Sequence, residues 1–508
     1  MTINKLPDES SSYWLETADL PSFEPLRGNL ETEAIIVGAG IAGLTTAYLL
    51  AQQGIKVTVL EAERIVSRTT GNTTAKLTAQ HHLLYDHLFQ EFGEDKARLY
   101  YKANQEAVDY IRELIHENGI DCGFSTQDAY VYARSAEEKK ELEKEFEAYQ
   151  KLGIDGNLEK DIPLDLEVEA SLIMHNQAQF HPVKYLNYLV EEILRAGGKI
   201  FENTRVTDID HGKHPAVETA EGHKVQGRYV AVCSHFPFYD KDGFYFARMK
   251  VQRSYLLAAK AMKPLPEGMF ISAEKPGYSL RSTKENHDQI IFIGGQGHSA
   301  GHKEDTMDSY EKLYKFGNEM FDIEEVLYRW SSQDQIPLDR VPYIGKYSML
   351  HDNIFVATGF QKWGMSNGTL AGMIIRDHIL DRENSYSELF SPGRHDMVHH
   401  MKKTAKMGQH SAKMMVEDKM DKPDKSVDDL GADEGAIVTL NGKRTGAYKD
   451  KSGTIHLVDT TCTHMGCEVR WNNGERSWDC PCHGSRFQYD GEVIEGPTTK
   501  PLKTLDNE

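Results

Sequence analysis

The pattern of apolar and polar residues near the N-terminus predicts a strand, a turn, a helix and a second strand. Residues 33–37 form a short apolar run typical of a buried strand, and residues 44–53 have the spacing of a helix. Gly54 is expected to end this helix, and Val57–Leu60 is expected to form the next strand. This order predicts an α/β unit at the start of the chain.

Later segments alternate between helical and strand-like patterns. Residues 137–151 place apolar side chains on one helical face among many charges, which predicts an amphipathic surface helix. Residues 184–195 predict another helix, whereas residues 229–233 and 289–293 have the apolar character of strands. From residue 395 the composition turns rich in Met, Lys and His, and it then becomes polar like a linker.

Composition and charge narrow the function classes. The 508 residues suggest about three structural units. Asp and Glu outnumber Lys and Arg by 78 to 58, and the resulting charge of −20 argues against nucleic-acid and anionic-lipid partners. The mean hydropathy of −0.55 and the lack of a long apolar run predict no transmembrane anchor. Residues 1–25 lack the basic region of a secretory signal, so a cytoplasmic location is expected.

The cysteines are unevenly distributed. Of the 6 cysteines, four lie between positions 462 and 482, and the other two, Cys122 and Cys233, are isolated and receive no functional assignment. In a cytoplasmic chain such clustering favours metal binding or redox chemistry over a disulfide scaffold.

A glycine motif follows the first predicted strand. Gly38 permits a tight turn, Gly40 allows the backbone to approach a pyrophosphate, and Gly43 allows close packing of helix and strand. The helix that starts here directs its N–H groups and positive dipole end toward the phosphates. Glu61, at the end of the second strand, is placed to bind a ribose diol. The combination predicts a dinucleotide site.

These residues resemble the D-amino-acid-oxidase-like FAD-dependent oxidoreductases. The matching stretches are residues 34–64, which include the glycine motif, and residues 339–345, 356–360 and 363–369. In this family the second, glycine-rich region closes over the flavin ring. The resemblance therefore implies flavin neighbours among Gly359, Gly364, Met365 and Asn367.

Two absences refine the resemblance. No second glycine motif with dinucleotide spacing follows a strand, since residues 294–297 lack it, so the substrate is expected to reduce FAD directly. Some relatives tether FAD through a histidine in the loop after the second strand. Residues 69–76 offer none, so FAD is expected to be non-covalent.

Two threonines and a lysine in the same loop are further candidates for flavin contacts. Thr73 and Thr74 have hydroxyl groups that could bind phosphate or ring oxygens, and Lys76 could place a cation near the flavin. An ordinary helix start, with the threonines as caps, remains an equal alternative for Lys76.

The clustered cysteines lie in two boxes that each add a histidine. Cys462-x-His464 and Cys480-x-x-His483 could in principle hold zinc, but each box also has an additional cysteine, and the loops are rich in Gly and Pro. The boxes resemble those of Rieske 2Fe–2S proteins. The resemblance implies that Cys462 and Cys480 bind one iron, that His464 and His483 bind the other, and that Cys467 and Cys482 form a disulfide.

Hydrogen bonds to the sulfurs tune a Rieske cluster. High-potential members use a serine and a tyrosine. Ser485 matches the serine, but Phe487 occupies the tyrosine position, so a lower potential is expected. Gly496 and Pro497 resemble the proline loop that covers the cluster in this family.

A Rieske oxygenase is an alternative that would need a mononuclear iron site of two histidines and a carboxylate. His82 and His87 have a plausible spacing but lack the carboxylate, and His395 and His399 form an isolated pair on one helix face.

Together, the two sites predict an FAD-dependent oxidoreductase that oxidises a small amine or amino acid. Electrons would pass singly through the Rieske cluster to an unidentified external acceptor. Two alternatives stay open: the Rieske tail is a redox sensor or docking module, or it receives electrons from a donor for a flavin-dependent reduction. Weak candidates for catalysis are Lys76, Arg281 and Gln296, and His181, His298 and Trp330 also fall in segments expected near the flavin.

The expected fold class is α/β and α+β: a Rossmann-like FAD-binding domain interleaved with a mixed β substrate domain, followed by a small all-β Rieske domain. The expected divisions are an N-terminal extension (1–32), an oxidoreductase region (33–394) with FAD-binding parts (33–90, 165–235, 335–385) and substrate parts (95–165, 240–335), a helix and linker (395–432) and the Rieske domain (433–508).

Overall fold

A computed structural model describes residues 6–285, 288–394 and 425–505. The described helices are α1 Tyr13–Glu16, α2 Ile41–Ala51, α3 Tyr85–Phe92, α4 Glu94–Asn118, α5 Ala136–Leu152, α6 Pro182–Arg195, α7 Met307–Phe321, α8 Gly364–Ile379 and α9 Ser387–Phe390. Two short 3-10 helices cover Tyr245–Ala247 and Val427–Asp429. Within these ranges no helix is both long and apolar enough to cross a bilayer.

A six-stranded sheet forms the nucleotide-binding layer. Its order is β18-β19-β12-β2-β3-β8, all parallel except at the β18 edge. The strands are β2 Ala34–Val37, β3 Val57–Leu60, β8 Lys199–Phe201, β12 Tyr229–Val232, β18 Tyr343–Ser348 and β19 His351–Thr358. Strands β2 and β3 are buried throughout, as their continuous apolar runs predict for an inner parallel sheet. Helix α2 packs between this sheet and α8.

A larger mixed sheet forms the second layer, with the order β17-β13-β16-β15-β14-β5-β7-β4 and with β6 paired to β7. Its strands are β4 Lys76–Leu77, β5 Ser125–Ala133, β6 Gly156–Glu159, β7 Ala170–Gln179, β13 Met249–Ala261, β14 Met269–Ser272, β15 Tyr278–Glu285, β16 Asp288–Ser299 and β17 Ile323–Pro337. The sequence predicts that β4 and β7 belong to the FAD-binding parts of the chain. In the structure they pair with each other, and β7 also pairs with β5, in this large sheet.

The helix predicted over residues 137–151 is α5, but its polar face is not wholly solvated. Glu145 is buried, and its carboxylate accepts hydrogen bonds from the N–H groups of Leu84, Tyr85 and Asp86 at 2.7–2.8 Å. A carboxylate at this position satisfies donors at the start of α3. The Glu145 side chain therefore has a structural role that a surface helix would not need.

Three small sheets complete the described fold. One has the order β1-β11-β10-β9, and the Rieske domain contributes the orders β20-β21-β22 and β23-β24-β25-β26. The strands are β1 Leu30–Glu31, β9 Val206–Asp210, β10 Ala216–Thr219, β11 Lys224–Gln226, β20 Glu434–Leu440, β21 Lys443–Lys449, β22 Ile455–Val458, β23 Arg470–Asn472, β24 Ser477–Asp479, β25 Arg486–Gln488 and β26 Val493–Glu495. Of the predicted helix and linker (395–432), residues 395–424 lie outside the described residues.

Candidate functional site

The glycine motif forms a tight turn between β2 and α2. Gly38 has φ +102°, a left-handed conformation that favours glycine, and an added Cβ would lie 2.5 Å from the Cys233 carbonyl oxygen. A Cβ on Gly43 would lie 1.8 Å from the Gly38 carbonyl oxygen, so only glycine permits this contact between helix and strand. Gly40 is the N-cap of α2 and faces the adjoining cavity. The backbone thus leaves room for a pyrophosphate at a helix N-terminus.

Glu61 follows β3 and lines the same cavity. Its Oε2 accepts a hydrogen bond from the Ala39 N–H at 2.8 Å, and its Oε1 accepts one from the Glu63 N–H at 3.0 Å. Burial raises the pKa of Glu61, which the two N–H donors partly offset. Each carboxylate oxygen keeps a second lone pair for a ribose hydroxyl, so this arrangement fits an adenosine end of FAD.

The cavity extends from the glycine turn to the start of α8. Of the predicted flavin contacts, those that line it are Gly38, Gly40, Glu61, Thr73, Thr74, Gly364 and Met365. Gly359 and Asn367 do not line it: Gly359 packs against Pro337, and Asn367 is buried inside α8. The large sheet contributes Ser254, Leu256, Ser332 and Asp334 to the lining, none of which stood out in the sequence.

The loop that carries Thr73 and Thr74 is held in place by buried side chains. Trp330 Nε1 donates to the Asn72 carbonyl oxygen at 3.0 Å. Arg281 Nη1 donates to the carbonyl oxygens of Thr74 at 3.1 Å and Ala75 at 2.8 Å. Arg281 and Trp330 therefore position this wall of the cavity rather than line it themselves.

Lys76 does not supply a cation to the cavity. It lies in β4 rather than at a helix start, and its Nζ donates to the Phe270 carbonyl oxygen at 2.8 Å and to Ser279 Oγ at 2.7 Å. Burial lowers the pKa of Lys76 well below its ordinary value. Both sequence interpretations of Lys76 are therefore corrected by its pairing within the large sheet.

The other weak candidates for catalysis also lie outside the lining of the cavity. Gln296 is buried in β16. His181 is the N-cap of α6, where its Nδ1 accepts from the Lys184 N–H at 3.4 Å. His298 lies 2.8 Å from the Tyr255 hydroxyl. The contacts of His181 and His298 give these two side chains structural roles.

The two cysteine–histidine boxes converge at one end of the Rieske domain. Cys462 and Cys480 are buried free cysteines, and a hydrogen bond from the Cys480 thiol lowers the pKa of Cys462. The His464 and His483 rings are 5.1 Å apart, centre to centre. The buried Nδ1 of His483 has no hydrogen-bond partner within the described residues. Two thiols and two imidazoles, one of them with an unpartnered buried nitrogen, fit a 2Fe–2S cluster of Rieske type.

A disulfide between Cys467 and Cys482 joins the two boxes, with 6.5 Å between the Cα atoms. The Sγ atom of Cys480 lies within 4.8 Å of both sulfurs of this bond. The pairing implied by the Rieske resemblance is thus the one present in the structure. It fixes the relative position of the loops that carry the four cluster residues.

Both positions expected to tune the cluster, Ser485 and Phe487, are buried in the Rieske domain. Ser485 is buried, and the Thr498 N–H donates to its Oγ at 3.3 Å. After the Cys480 thiol, the Ser485 hydroxyl is among the groups that lower the pKa of Cys462. Phe487 is fully buried and brings no hydroxyl. Gly496 of the predicted proline loop lines the cavity described above, so this loop borders that cavity as well as the two boxes.

Side chains from the large sheet hold the box that carries His483. Gln333 Nε2 donates to the Gly484 carbonyl oxygen at 2.8 Å. Arg253 is buried, and its Nη2 lies 3.4 Å from Asp479 Oδ2, next to Cys480. Burial would raise the pKa of Asp479, but the charges of Arg253 and Arg486 lower it to about 2. No sequence signal identified this interface, because its partners are far apart along the chain.

The histidine rings face the oxidoreductase region. The Phe246 ring, in the 3-10 helix Tyr245–Ala247, is 5.7 Å from the His464 ring and 5.4 Å from the His483 ring, nearly perpendicular to both. The two histidines therefore lie against the 3-10 helix Tyr245–Ala247 of the oxidoreductase region.

His82 and His87 of the oxygenase alternative each lie close to a backbone carbonyl oxygen. His82 Nε2 lies 3.2 Å from the Ser272 carbonyl oxygen, and His87 Nε2 lies 3.3 Å from the Asp339 carbonyl oxygen. Neither occurs in a cluster of three potential ligands within the described residues. His395 and His399 lie outside the described residues.

Comparisons with known proteins match both sites. Residues 33–378 match the family model of the FAD dependent oxidoreductases, and residues 422–506 match that of the Rieske [2Fe-2S] domain. The chain is 45% identical to the Rieske 2Fe-2S iron-sulfur protein YhfW of Bacillus subtilis over 97% of both chains. It is 26% identical to γ-glutamylputrescine oxidoreductase of Escherichia coli over 73% of this chain and 89% of that one. Glycine oxidase from Geobacillus kaustophilus has the same fold, with a TM-score of 0.61 and 18% identity over 72% of this chain and 100% of that one.

Proposed function

Because the chain belongs to the FAD-dependent oxidoreductases and carries a Rieske domain, we propose that it oxidises a small amine or amino acid. In this proposal the electrons leave singly through the Rieske cluster to an external acceptor. A bound flavin accepts a hydride equivalent, and a 2Fe–2S cluster accepts one electron at a time. The substrate loses a hydride from carbon and a proton from nitrogen and becomes an imine.

The residues in contact with each group are part of the proposal. Cys462 and Cys480 would hold one iron as thiolates, and His464 and His483 would hold the other as neutral imidazoles. FAD would lie non-covalently in the cavity between the glycine turn and the N-terminus of α8. Two buried free thiols and two neighbouring imidazoles are the donor set of a Rieske cluster, which supports these assignments.

The proposed substrate class has two supports. The names of two relatives, a γ-glutamylputrescine oxidoreductase and a glycine oxidase, are those of enzymes for an amine and an amino acid. In this chain the cavity offers Lys362 and Asp334, whose charged atoms are 3.7 Å apart. A zwitterionic or cationic substrate finds an opposite charge in this pair.

The single observation that carries the electron-transfer proposal is the contact between Gln333 and the His483 box. Gln333 holds Gly484 by a hydrogen bond of 2.8 Å, and the next residue of β17, Asp334, lines the flavin cavity. The loop that carries His483 is thus held by a strand whose next residue lines the cavity. A sensor or docking module would not require this loop to be held by a strand of the cavity wall.

Anaerobic stopped-flow mixing with a panel of amines and amino acids tests the proposal. Bleaching of flavin absorbance should be followed by the paramagnetic signal of the reduced cluster. In Cys462→Ser, the flavin should still bleach, but reduction of an added one-electron acceptor should be lost. Cys122→Ser, a buried cysteine outside the boxes, is the matched control and should behave as the wild type.

Two results would contradict the electron-transfer role. The first is a flavin that turns over with oxygen while the cluster never becomes reduced. The second is a Cys462→Ser variant that still reduces the acceptor at the wild-type rate. Reduction of the cluster by an external donor before the flavin would instead favour electron flow in the opposite direction.

A further inference from the structure

The Rieske domain contributes a wall to the flavin cavity. Residues of β26 and the loop after it, Ile494, Glu495, Gly496, Thr498 and Thr499, line the same cavity as the glycine turn. They are separated along the chain from that turn by almost the whole oxidoreductase region. The cavity is therefore bounded by two domains.

Polar contacts join the oxidoreductase region to the Rieske domain beside this wall. Arg205 Nη2 donates to the Val493 carbonyl oxygen at 3.0 Å. His235 Nε2 donates to the Gln333 carbonyl oxygen at 2.9 Å and lies 3.6 Å from Glu495 Oε1. Arg205 and His235 both line the cavity themselves. Arg205, which borders the flavin site, thus binds the Rieske domain as well.

A second group of contacts, outside the lining of the cavity, fixes the orientation of the domain. Thr306 Oγ1 donates to the Asn472 side chain at 2.6 Å and accepts from the Gly474 N–H at 2.9 Å. Arg329 Nη1 donates to the Gly474 carbonyl oxygen at 2.8 Å. Thr306, Arg329 and Asn472 are all buried. Docking of the Rieske domain is therefore specified independently of the cavity wall.

We propose that the docked Rieske domain is part of the FAD-binding site, so that flavin affinity depends on docking. A ligand that contacts both domains binds the docked form more tightly, and thermodynamic linkage requires that bound flavin stabilise docking by the same factor. The proposal concerns binding in the oxidised protein and does not depend on the direction of electron flow. It assigns Ile494–Thr499 a role that the cluster alone does not require.

Gly474→Arg tests the proposal from the Rieske side, without altering the oxidoreductase region. A Cβ on Gly474 would already lie 2.8 Å from Thr306 Oγ1, and a guanidinium there would also repel Arg329. We expect the dissociation constant of FAD, measured by fluorescence titration of oxidised full-length protein, to rise by about tenfold or more. Ser452→Arg places the same side chain on an exposed turn of the same domain and should leave the constant unchanged.

Ile494→Trp is a second, independent variant that leaves the docking contacts in place. Its larger side chain would occupy the cavity and should also weaken FAD binding by about tenfold or more. The spectrum of the reduced 2Fe–2S cluster is recorded for each variant to establish that the Rieske domain is folded.

Wild-type FAD affinity in either Gly474→Arg or Ile494→Trp, with the cluster spectrum intact, would overturn the proposal. Neither measurement uses substrate or acceptor. If FAD affinity proved independent of docking, the proposed electron transfer from flavin to cluster would not be affected. If electron transfer proved wrong, the linkage between docking and FAD binding would not be affected.

Discussion

The Ser485 hydroxyl is expected to tune the reduction potential of the Rieske cluster. Its oxygen accepts a hydrogen bond from the Thr498 N–H, which leaves its own hydrogen for the Cys462 sulfur. Ser485 is fully buried, so water cannot replace this donor. A donor to sulfur stabilises the reduced cluster, which carries one more negative charge, more than the oxidised cluster. Ser485→Ala should therefore lower the potential.

The magnitude follows from the strength of this hydrogen bond. A buried hydrogen bond to a charged group contributes about 1.5–3 kcal/mol. If about half of this differs between the two redox states, the loss is about 0.8–1.5 kcal/mol, or about 35–65 mV for a one-electron couple. Because Phe487 is buried and supplies no second hydroxyl, the wild-type potential should itself lie below that of high-potential Rieske proteins.

A redox titration of the full-length protein, followed by the paramagnetic signal of the reduced cluster, measures both quantities. Ser452→Ala removes a hydroxyl from an exposed turn of the same domain and should leave the potential at its wild-type value. The reasoning is refuted if Ser485→Ala leaves the potential unchanged or raises it. A wild-type potential as high as that of the respiratory Rieske proteins would refute the inference from Phe487.

Three further substitutions test the glycine turn, a buried carboxylate and the disulfide. Gly43→Ala places a Cβ 1.8 Å from the Gly38 carbonyl oxygen, so helix and strand must separate, and fluorescence titration should show about tenfold weaker FAD binding. Burial raises the pKa of Glu145 from 4.5 to about 7, so its contribution to stability is full below pH 4.5 and is lost as the pH rises through about 7. Glu145→Gln should remove a pH-dependent change of about 3 kcal/mol in the free energy of unfolding, measured by denaturant titration. Cys467→Ser breaks the bond to Cys482, which closes a loop of 15 residues, and calorimetry should show a loss of about 3 kcal/mol in the Rieske domain.

Each of these predictions has a control and a contradicting result. Gly212→Ala adds a Cβ with no atom within 4 Å, and equal FAD affinities for it and Gly43→Ala would contradict the close-packing argument. Glu143→Gln changes an exposed carboxylate of α5, and it should keep the wild-type pH profile while Glu145→Gln does not. A reductant should destabilise the wild type but not Cys467→Ser, and equal destabilisation of both would contradict a structural disulfide.

The chemistry of both sites was predictable from the sequence, because each site is built from short contiguous segments. The positive φ of Gly38 and the close contact between Gly43 and Gly38 lie within six residues, and the amino-acid types alone reveal this turn. The two boxes that contain Cys462 and Cys480 likewise carry their ligand types at fixed local spacings. Helix α5 and strand β3 were predicted closely for the same reason, since their periodic patterns are local.

The interpretations that the structure corrected depend on contacts between distant segments. Lys76 follows two threonines and has no local signal of burial, yet β4 pairs with β7 and encloses it in the large sheet. Gly359 and Asn367 belong to the right region, but the packing of Pro337 and of α8 decides that they do not line the cavity.

By itself, therefore, the sequence determined the two cofactor types and the order of the domains. Only the tertiary structure decided that the Rieske domain docks on the oxidoreductase region and supplies a wall of the flavin cavity. The reason is physical: Gln333 and Gly484, or Arg205 and Val493, are held together by hydrogen bonds between groups far apart in sequence. Such pairs have no spacing along the chain from which they can be read, and they form only when both domains are folded.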